Sequence, residues 1–230
     1  MCTVSLFFKG DSTLVTSTRD EHRKRRRAAS PEWHDYQGTE LYFPKDPQGG
    51  GSWIAFNRVG QWGVVLNGAF VNHRHTGPYR KSRGLILLDI LSSMRPAAFW
   101  KELNLENIEP FTLILGDQGA YEMRWDGQEK HAKELNKEEA HIWSSATLYS
   151  QEVQAWRKER FDSFLQTHSN PPSDQVFSFH ATPQGDSENG LVIDRANGVK
   201  TVSVTQVLLE SNQGEMRYED LMQPESQLSV

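Results

Sequence analysis

The stretch Thr3-Val4-Ser5-Leu6-Phe7-Phe8-Lys9-Gly10-Asp11-Ser12-Thr13-Leu14-Val15-Thr16-Ser17-Thr18, preceded by Met1-Cys2 and followed by Arg19-Asp20-Glu21, decides how the chain is read. Apolar and β-branched residues fill both sides of Lys9-Gly10-Asp11-Ser12, and a Gly/Asp turn between such runs favours a β-hairpin. A hairpin returns the far end of its second strand to the start of its first. Arg19 and Asp20 are therefore expected beside Cys2, with the Arg19 guanidinium in reach of Cys2 or Asp20. Cys2 is the only cysteine. Once Met1 is removed it carries a thiol and a free α-amine on one residue, so a base of near-neutral pKa adjoins the nucleophile. Arg19 favours thiolate over thiol, and Asp20 can accept from the ammonium. The plain alternative is that Cys2 is a small apolar strand residue.

The 230 residues suffice for one large domain or two small ones. With 37% apolar residues, 7 Trp and 11 Phe, the chain can build a core, which excludes global disorder. A net charge of −5 argues against a general nucleic-acid binder. One cysteine forbids an intrachain disulfide and points to a reducing compartment, the cytoplasm. No run reaches the ~18 apolar residues of a membrane span, and no secretory signal is apparent.

After the hairpin, His22-Arg23-Lys24-Arg25-Arg26-Arg27 is expected to be an exposed run that holds anions weakly. Phosphate, coenzyme A or an anionic lipid surface would suit it; a solvated loop is the commoner outcome. Ala28 to Gln48 reads as irregular chain, punctuated by Pro31, Pro44 and Pro47. Gly49-Gly50-Gly51-Ser52-Trp53 opens a strand pair, Ser52 to Asn57 and Gln61 to Asn67. It leads into a strand rather than a helix, so a nucleotide loop is a poor reading. Trp53 and Trp62 are expected to be buried, and Asn67 to face the cleft that holds Cys2.

Met1-Cys2, Thr18-Arg19-Asp20-Glu21, Gly50-Gly51-Ser52-Trp53, Gly60 to Asn67 and Ser82-Arg83-Gly84 stand in an order and spacing that resemble the NRDE-motif family, the transport and Golgi organisation 2 family. The resemblance covers about the first ninety residues well and the rest loosely. It implies an α+β fold of the N-terminal-nucleophile hydrolase type, a four-layer αββα sandwich with two antiparallel sheets between helical layers. It implies Cys2, Arg19, Asp20 and Asn67 as catalytic residues, and Trp53, Arg83 and Ser145 as substrate-binding ones. The implied partner is a small-molecule amide or acyl substrate whose linear C–N bond is cut. In a second reading the same fold carries haem or an acyl or lipid ligand without turnover. No cofactor is implied for the hydrolase. Three positions depart from the family pattern, the mildest being Ser52 in place of its Thr in Gly-Gly-Thr-Trp. Thr18 replaces its Asn, and Ser144-Ser145-Ala146 lacks the Asn of a later segment, a second oxyanion donor.

His73 and His75 alternate in a polar loop, with no third metal ligand evident nearby. Ser82 is a plausible N-cap for a helix through Ser93, Pro96 starts another, and Phe111 to Asp117 with Ala120 to Asp126 forms a hairpin. Gln151 to His168 is the clearest helix, with Val153, Trp156, Phe161, Phe164 and Leu165 inward and Arg157, Lys158 and Glu159 outward. Gln175 to His180, Gly190 to Asp194 and Thr201 to Leu209 read as closing strands. Gln223 to Val230 is a polar tail to a single 1–230 domain.

Overall fold

A computed structural model describes residues 3–222; Cys2 and the tail 223–230 lie outside the described residues. In chain order the elements are β1 (Thr3–Lys9), β2 (Ser12–His22), β3 (Glu32–Tyr36), β4 (Thr39–Phe43), β5 (Ile54–Asn57), β6 (Trp62–Asn67), α1 (Arg83–Leu91), α2 (Pro96–Glu102), β7 (Phe111–Gly116) and β8 (Ala120–Trp125). They continue with β9 (Lys130–Glu134), β10 (His141–Ser144), α3 (Gln151–Thr167), α4 (Ser173–Ala181), β11 (Val199–Glu210) and β12 (Gln213–Asp220). One sheet has the order β10-β1-β2-β11-β12 and the other β3-β4-β5-β6-β7-β8-β9. Every pairing in both is antiparallel.

The expected first hairpin forms. Thr3 pairs with Thr18 and Lys9 with Ser12 across a turn in which Gly10 takes φ +58°. Side chains alternate between the faces of each strand. Val4, Leu6 and Val15 therefore enter the core between the sheets, together with Trp62, Val64 and Ile114 of the second sheet. Phe7 and Leu14 point the other way, against Phe161 of α3 and Val176 and Phe179 of α4. Helices α1 and α2 cover the outer side of the second sheet through Ile86, Leu87 and Trp100. The result is the four-layer αββα sandwich. Trp53 and Trp62 are buried, 4% and 5% exposed.

Four segments differ from the sequence reading. The chain between Ala28 and Gln48 holds a hairpin, β3 to β4, turned by Gln37 and Gly38 at φ 55° and 81°. Two positive φ values suit a hairpin turn, but Gln-Gly is a weaker signal than Asn-Gly, and the polar edge strand Glu-Trp-His-Asp-Tyr hides its alternation. Gln175 to His180 is helical, not extended. Its buried residues Val176, Phe177, Phe179 and His180 follow helical spacing, and Pro172 begins the helix. Gly190 to Asp194 makes only a single bridge, Asp194 to Lys200. Arg157 is fully buried rather than outward.

The basic run is also only partly as expected. Arg25 is half-buried and pairs with Asp46 at 2.8 Å and Glu21 at 3.3 Å. Arg27 lies 3.7 Å from Asp220.

Candidate functional site

Strand alternation sends Arg19 and Asp20, neighbours on β2, to opposite faces of their sheet. Arg19 enters the space between the sheets. Its guanidinium lies 4.7 Å from the Trp53 ring centroid and donates to Asp46 Oδ2 at 3.1 Å, with Glu21 at 3.8 Å. Asp20 faces the α3–α4 layer, where its carboxylate accepts from the Tyr149 hydroxyl and the Thr201 hydroxyl, each at 2.5 Å. Arg19 therefore reaches Asp46 and not Asp20. Its relation to Cys2 lies outside the described residues.

Asp46 organises the mouth of the cleft. Oδ2 takes bonds from Arg19 and Arg25, while Oδ1 accepts from the backbone N–H groups of Gln48 and Gly49. Burial would raise the Asp46 pKa. The Arg25 bond, the two backbone donors and the Arg19 charge outweigh it and hold the carboxyl below its usual range.

Behind Asp46 the glycine loop packs on the start of α1. Ser82 accepts from Leu85 N–H as the N-cap and donates to Gly49 O at 3.1 Å. A Cβ on Gly51 would sit 2.3 Å from the Gly84 carbonyl carbon. Gly51 and Gly84 thus let two backbones touch, which explains why glycine stands in both stretches. Gly51→Ala is expected to cost about 1–3 kcal/mol of stability, as overpacking does, and to displace the start of α1. Urea denaturation checks this; an unchanged midpoint would mean the loop yields freely.

Arg19, Trp53, Asn67 and Arg83 line one cleft of about 160 Å³. Arg83 is held by Glu109 at 3.0 Å and by Pro110 O at 3.3 Å. Asn67 closes β6 and is half-buried, and its backbone carbonyl accepts from Ser145 Oγ at 2.9 Å. Ser145 is buried and its hydroxyl also contacts Thr147 Oγ1. It does not line this cleft; its contact is with the Asn67 backbone. The Trp53 indole N–H is buried with no acceptor among the described residues, an available donor beside the cleft.

Sequence reasoning missed Asp46, Tyr149 and Arg157. Asp46 sits between Pro44 and Pro47 in what reads as irregular chain, and nothing local marks Tyr149. Arg157 lies 3.5 Å from the Tyr149 ring centroid and donates to Thr3 Oγ1 at the head of β1. A polar chain thus runs Thr3–Arg157–Tyr149–Asp20–Thr201 beneath the first sheet. His73 pairs with Glu109 and His75 stacks on Tyr79. No group of three metal-ligating side chains occurs among the described residues. None of the described helices is long and apolar enough to cross a membrane.

Residues 1–198 match the model of the family described as Transport and Golgi organisation 2. No curated protein matches in sequence. Among solved structures, the chain is similar to a Caenorhabditis elegans N-acylethanolamine-hydrolyzing acid amidase ortholog, with TM-score 0.57 and 11% identity over 92% of this chain and 94% of that one. It is similar to the C2A mutant of the conjugated bile acid hydrolase from Clostridium perfringens, with TM-score 0.53 and 10% identity over 96% and 92%. It is also similar to penicillin V acylase from Agrobacterium tumefaciens, with TM-score 0.50 and 11% identity over 97% and 84%. The likeness is one of fold, that of the N-terminal-nucleophile hydrolases.

Proposed function

The chain belongs to the transport and Golgi organisation 2 family, and from that premise we propose that it is a cysteine N-terminal-nucleophile hydrolase of a linear amide C–N bond. One observation carries the reading: Arg19, Trp53, Asn67 and Arg83, drawn from four separate stretches, line a single cleft. Thr3, the residue after Cys2, heads the strand paired with Thr18, next to Arg19.

In this reading the α-amine of Cys2 takes the thiol proton as sulfur attacks the amide carbonyl. The Asn67 side-chain amide and backbone N–H groups stabilise the oxyanion. Collapse breaks the C–N bond, and the proton held by the α-amine leaves with the departing amine. Water then attacks the thioester, releasing the acid and restoring the thiol. Asp20, fixed by Tyr149 and Thr201, orients the amine. Arg19 adds positive charge, and Trp53 and Arg83 shape the substrate side. A reducing compartment, the cytoplasm, suits the free thiol.

The test is turnover of a panel of linear amides after intact mass has established removal of Met1. Cys2→Ala is expected to abolish turnover while leaving the melting temperature close to wild type, and Cys2→Ser to retain at most a trace. A thiol no more reactive at neutral pH than free cysteine, with Met1 already gone, would overturn the hydrolase. A second reading, a carrier of haem or acyl ligands, draws support from Ser145. It stands where the family has Asn, and its contact with the Asn67 carbonyl uses the hydroxyl. Under it both Cys2 variants bind ligand as wild type does, and no amide is cut.

A further inference from the structure

Beside the cleft, and sharing Arg19, Glu21 and Arg25 with it, lies a second hollow of about 40 Å³. That volume exceeds the ~10–15 Å³ that admits a water and falls far below the ~300 Å³ where drug-sized pockets begin. It is room for one compact group. We propose that this hollow binds a single phosphate-type oxyanion of a ligand.

The lining has a pronounced sign. Arg23, Arg26 and Arg27 join Arg19 and Arg25 around it, against the carboxylates of Glu21 and Asp220. Counting Asp46, which holds Arg19 and Arg25 from the adjoining cleft, five guanidiniums still face three carboxylates among the described residues. Arg23 and Arg26 make no ion pair among the described residues, whereas Arg19, Arg25 and Arg27 each do.

Like charges brought together repel unless an anion joins them, and planar guanidinium forks match phosphate oxygens in pairs. The wall is built rather than merely decorated. Arg19 is 95% buried, being 5% exposed, and rests on Trp53, so one cation is fixed from beneath. The exposed arginines close from the rim. The geometry follows from register: β2 runs to His22 and pairs there with Val199, the chain turns with Arg25 N–H donating to His22 O, and Arg27 reaches Asp220 and Met222 O. Because the hollow adjoins the cleft, its occupant's remaining atoms can extend toward Trp53. Binding itself requires no catalysis, so this inference stands or falls apart from the hydrolase.

Lys24 supplies an internal control, since it belongs to the same run but does not line the hollow. Inorganic pyrophosphate is titrated calorimetrically into the full chain at near-physiological salt, where diffuse surface attraction is screened. Saturable one-to-one binding is expected. The double variant Arg23→Ala/Arg26→Ala should weaken it at least about tenfold, the scale of lost charge-assisted bonds, while Lys24→Ala changes it less than about twofold. Both variants should melt as wild type does, because the replaced side chains are exposed. Absence of binding, or equal weakening by the two variants, would overturn the site in favour of a diffuse field.

A second arm identifies the source of the oxyanion. Vesicles of phosphatidylcholine with phosphatidic acid are sedimented with the protein. Co-sedimentation displaced by pyrophosphate and lost in the double variant assigns a lipid headgroup to the hollow. No co-sedimentation alongside pyrophosphate binding assigns a soluble phosphate compound. Co-sedimentation without pyrophosphate binding would overturn the proposal.

Discussion

Arg157→Ala is expected to destabilise the fold by about 3–5 kcal/mol, a cost set by a large buried cavity together with stranded hydrogen-bond acceptors. Arg157 has no exposed surface, and no carboxylate lies within ion-pair reach among the described residues. Its guanidinium is held instead by neutral groups. It stacks on Tyr149 at 3.5 Å, bonds Asn189 O at 3.2 and 3.3 Å, and donates to Gly190 O and Thr3 Oγ1. The alanine variant leaves those carbonyls dry and unpaired. Arg157→Lys keeps the charge but not the planar fork, so it should recover only part of the loss. Urea denaturation with a check on the m-value measures both. A loss under about 1 kcal/mol for the alanine variant would show that water replaces the guanidinium at little cost.

Acid should weaken the protein through His180 before its carboxylates matter. Burial, reinforced by the nearby Arg157 charge, lowers the His180 pKa from 6.5 to about 3. In the folded chain the ring is neutral and shares a 2.7 Å hydrogen bond with Ser5 Oγ. The unfolded chain binds a proton below pH 6.5 that the folded chain refuses. Stability contributed by the neutral ring is therefore complete above that pH and falls as pH drops from 6.5 toward 3, by about 1.4 kcal/mol per pH unit. Asp46 and Glu122, whose pKa values are also lowered, act in the same direction but below the ordinary carboxylate range. The interval from pH 6.5 to 5 therefore isolates the histidine. Urea midpoints over that interval should slope in wild type, and His180→Gln should remove about one proton's worth of slope. An unchanged slope would mean that His180 is accessible to protons in the folded state. Because Arg157 and His180 interact, their substitutions are not expected to add.

Much of the scaffold was legible locally. Gly10-Asp11 between β-branched runs announced the first hairpin, and Ser82 and Pro96 announced two helix starts, because turns and caps are chosen by backbone geometry at those residues. The family motifs were legible as spacing alone; that Gly51 and Gly84 are one contact only the folded chain reveals. Arg157 illustrates the opposite case. It reads as outward, yet it stands midway between Val153 and Phe161, one helical turn from each, and is fully buried. Its charge suggested the reverse, and the carbonyls of Asn189 and Gly190, more than thirty residues away, are what make its burial tolerable.

The amino-acid sequence by itself determined the first hairpin, the starts of α1 and α2, the lone cysteine at position 2 and the family, since these rest on residue type and short-range spacing. Tertiary structure decided which neighbours share a face. Alternation on β2 parts Arg19 from Asp20, sending one to Asp46 and Trp53 and the other to Tyr149 and Thr201. It also decided which arginines of the basic run find a carboxylate among the described residues, because besides Glu21 the carboxylates that pair the run, Asp46 and Asp220, come from a separate loop and from the last strand. Partners separated by that much chain are invisible to local pattern, and their electrostatics exist only once packing has brought them together.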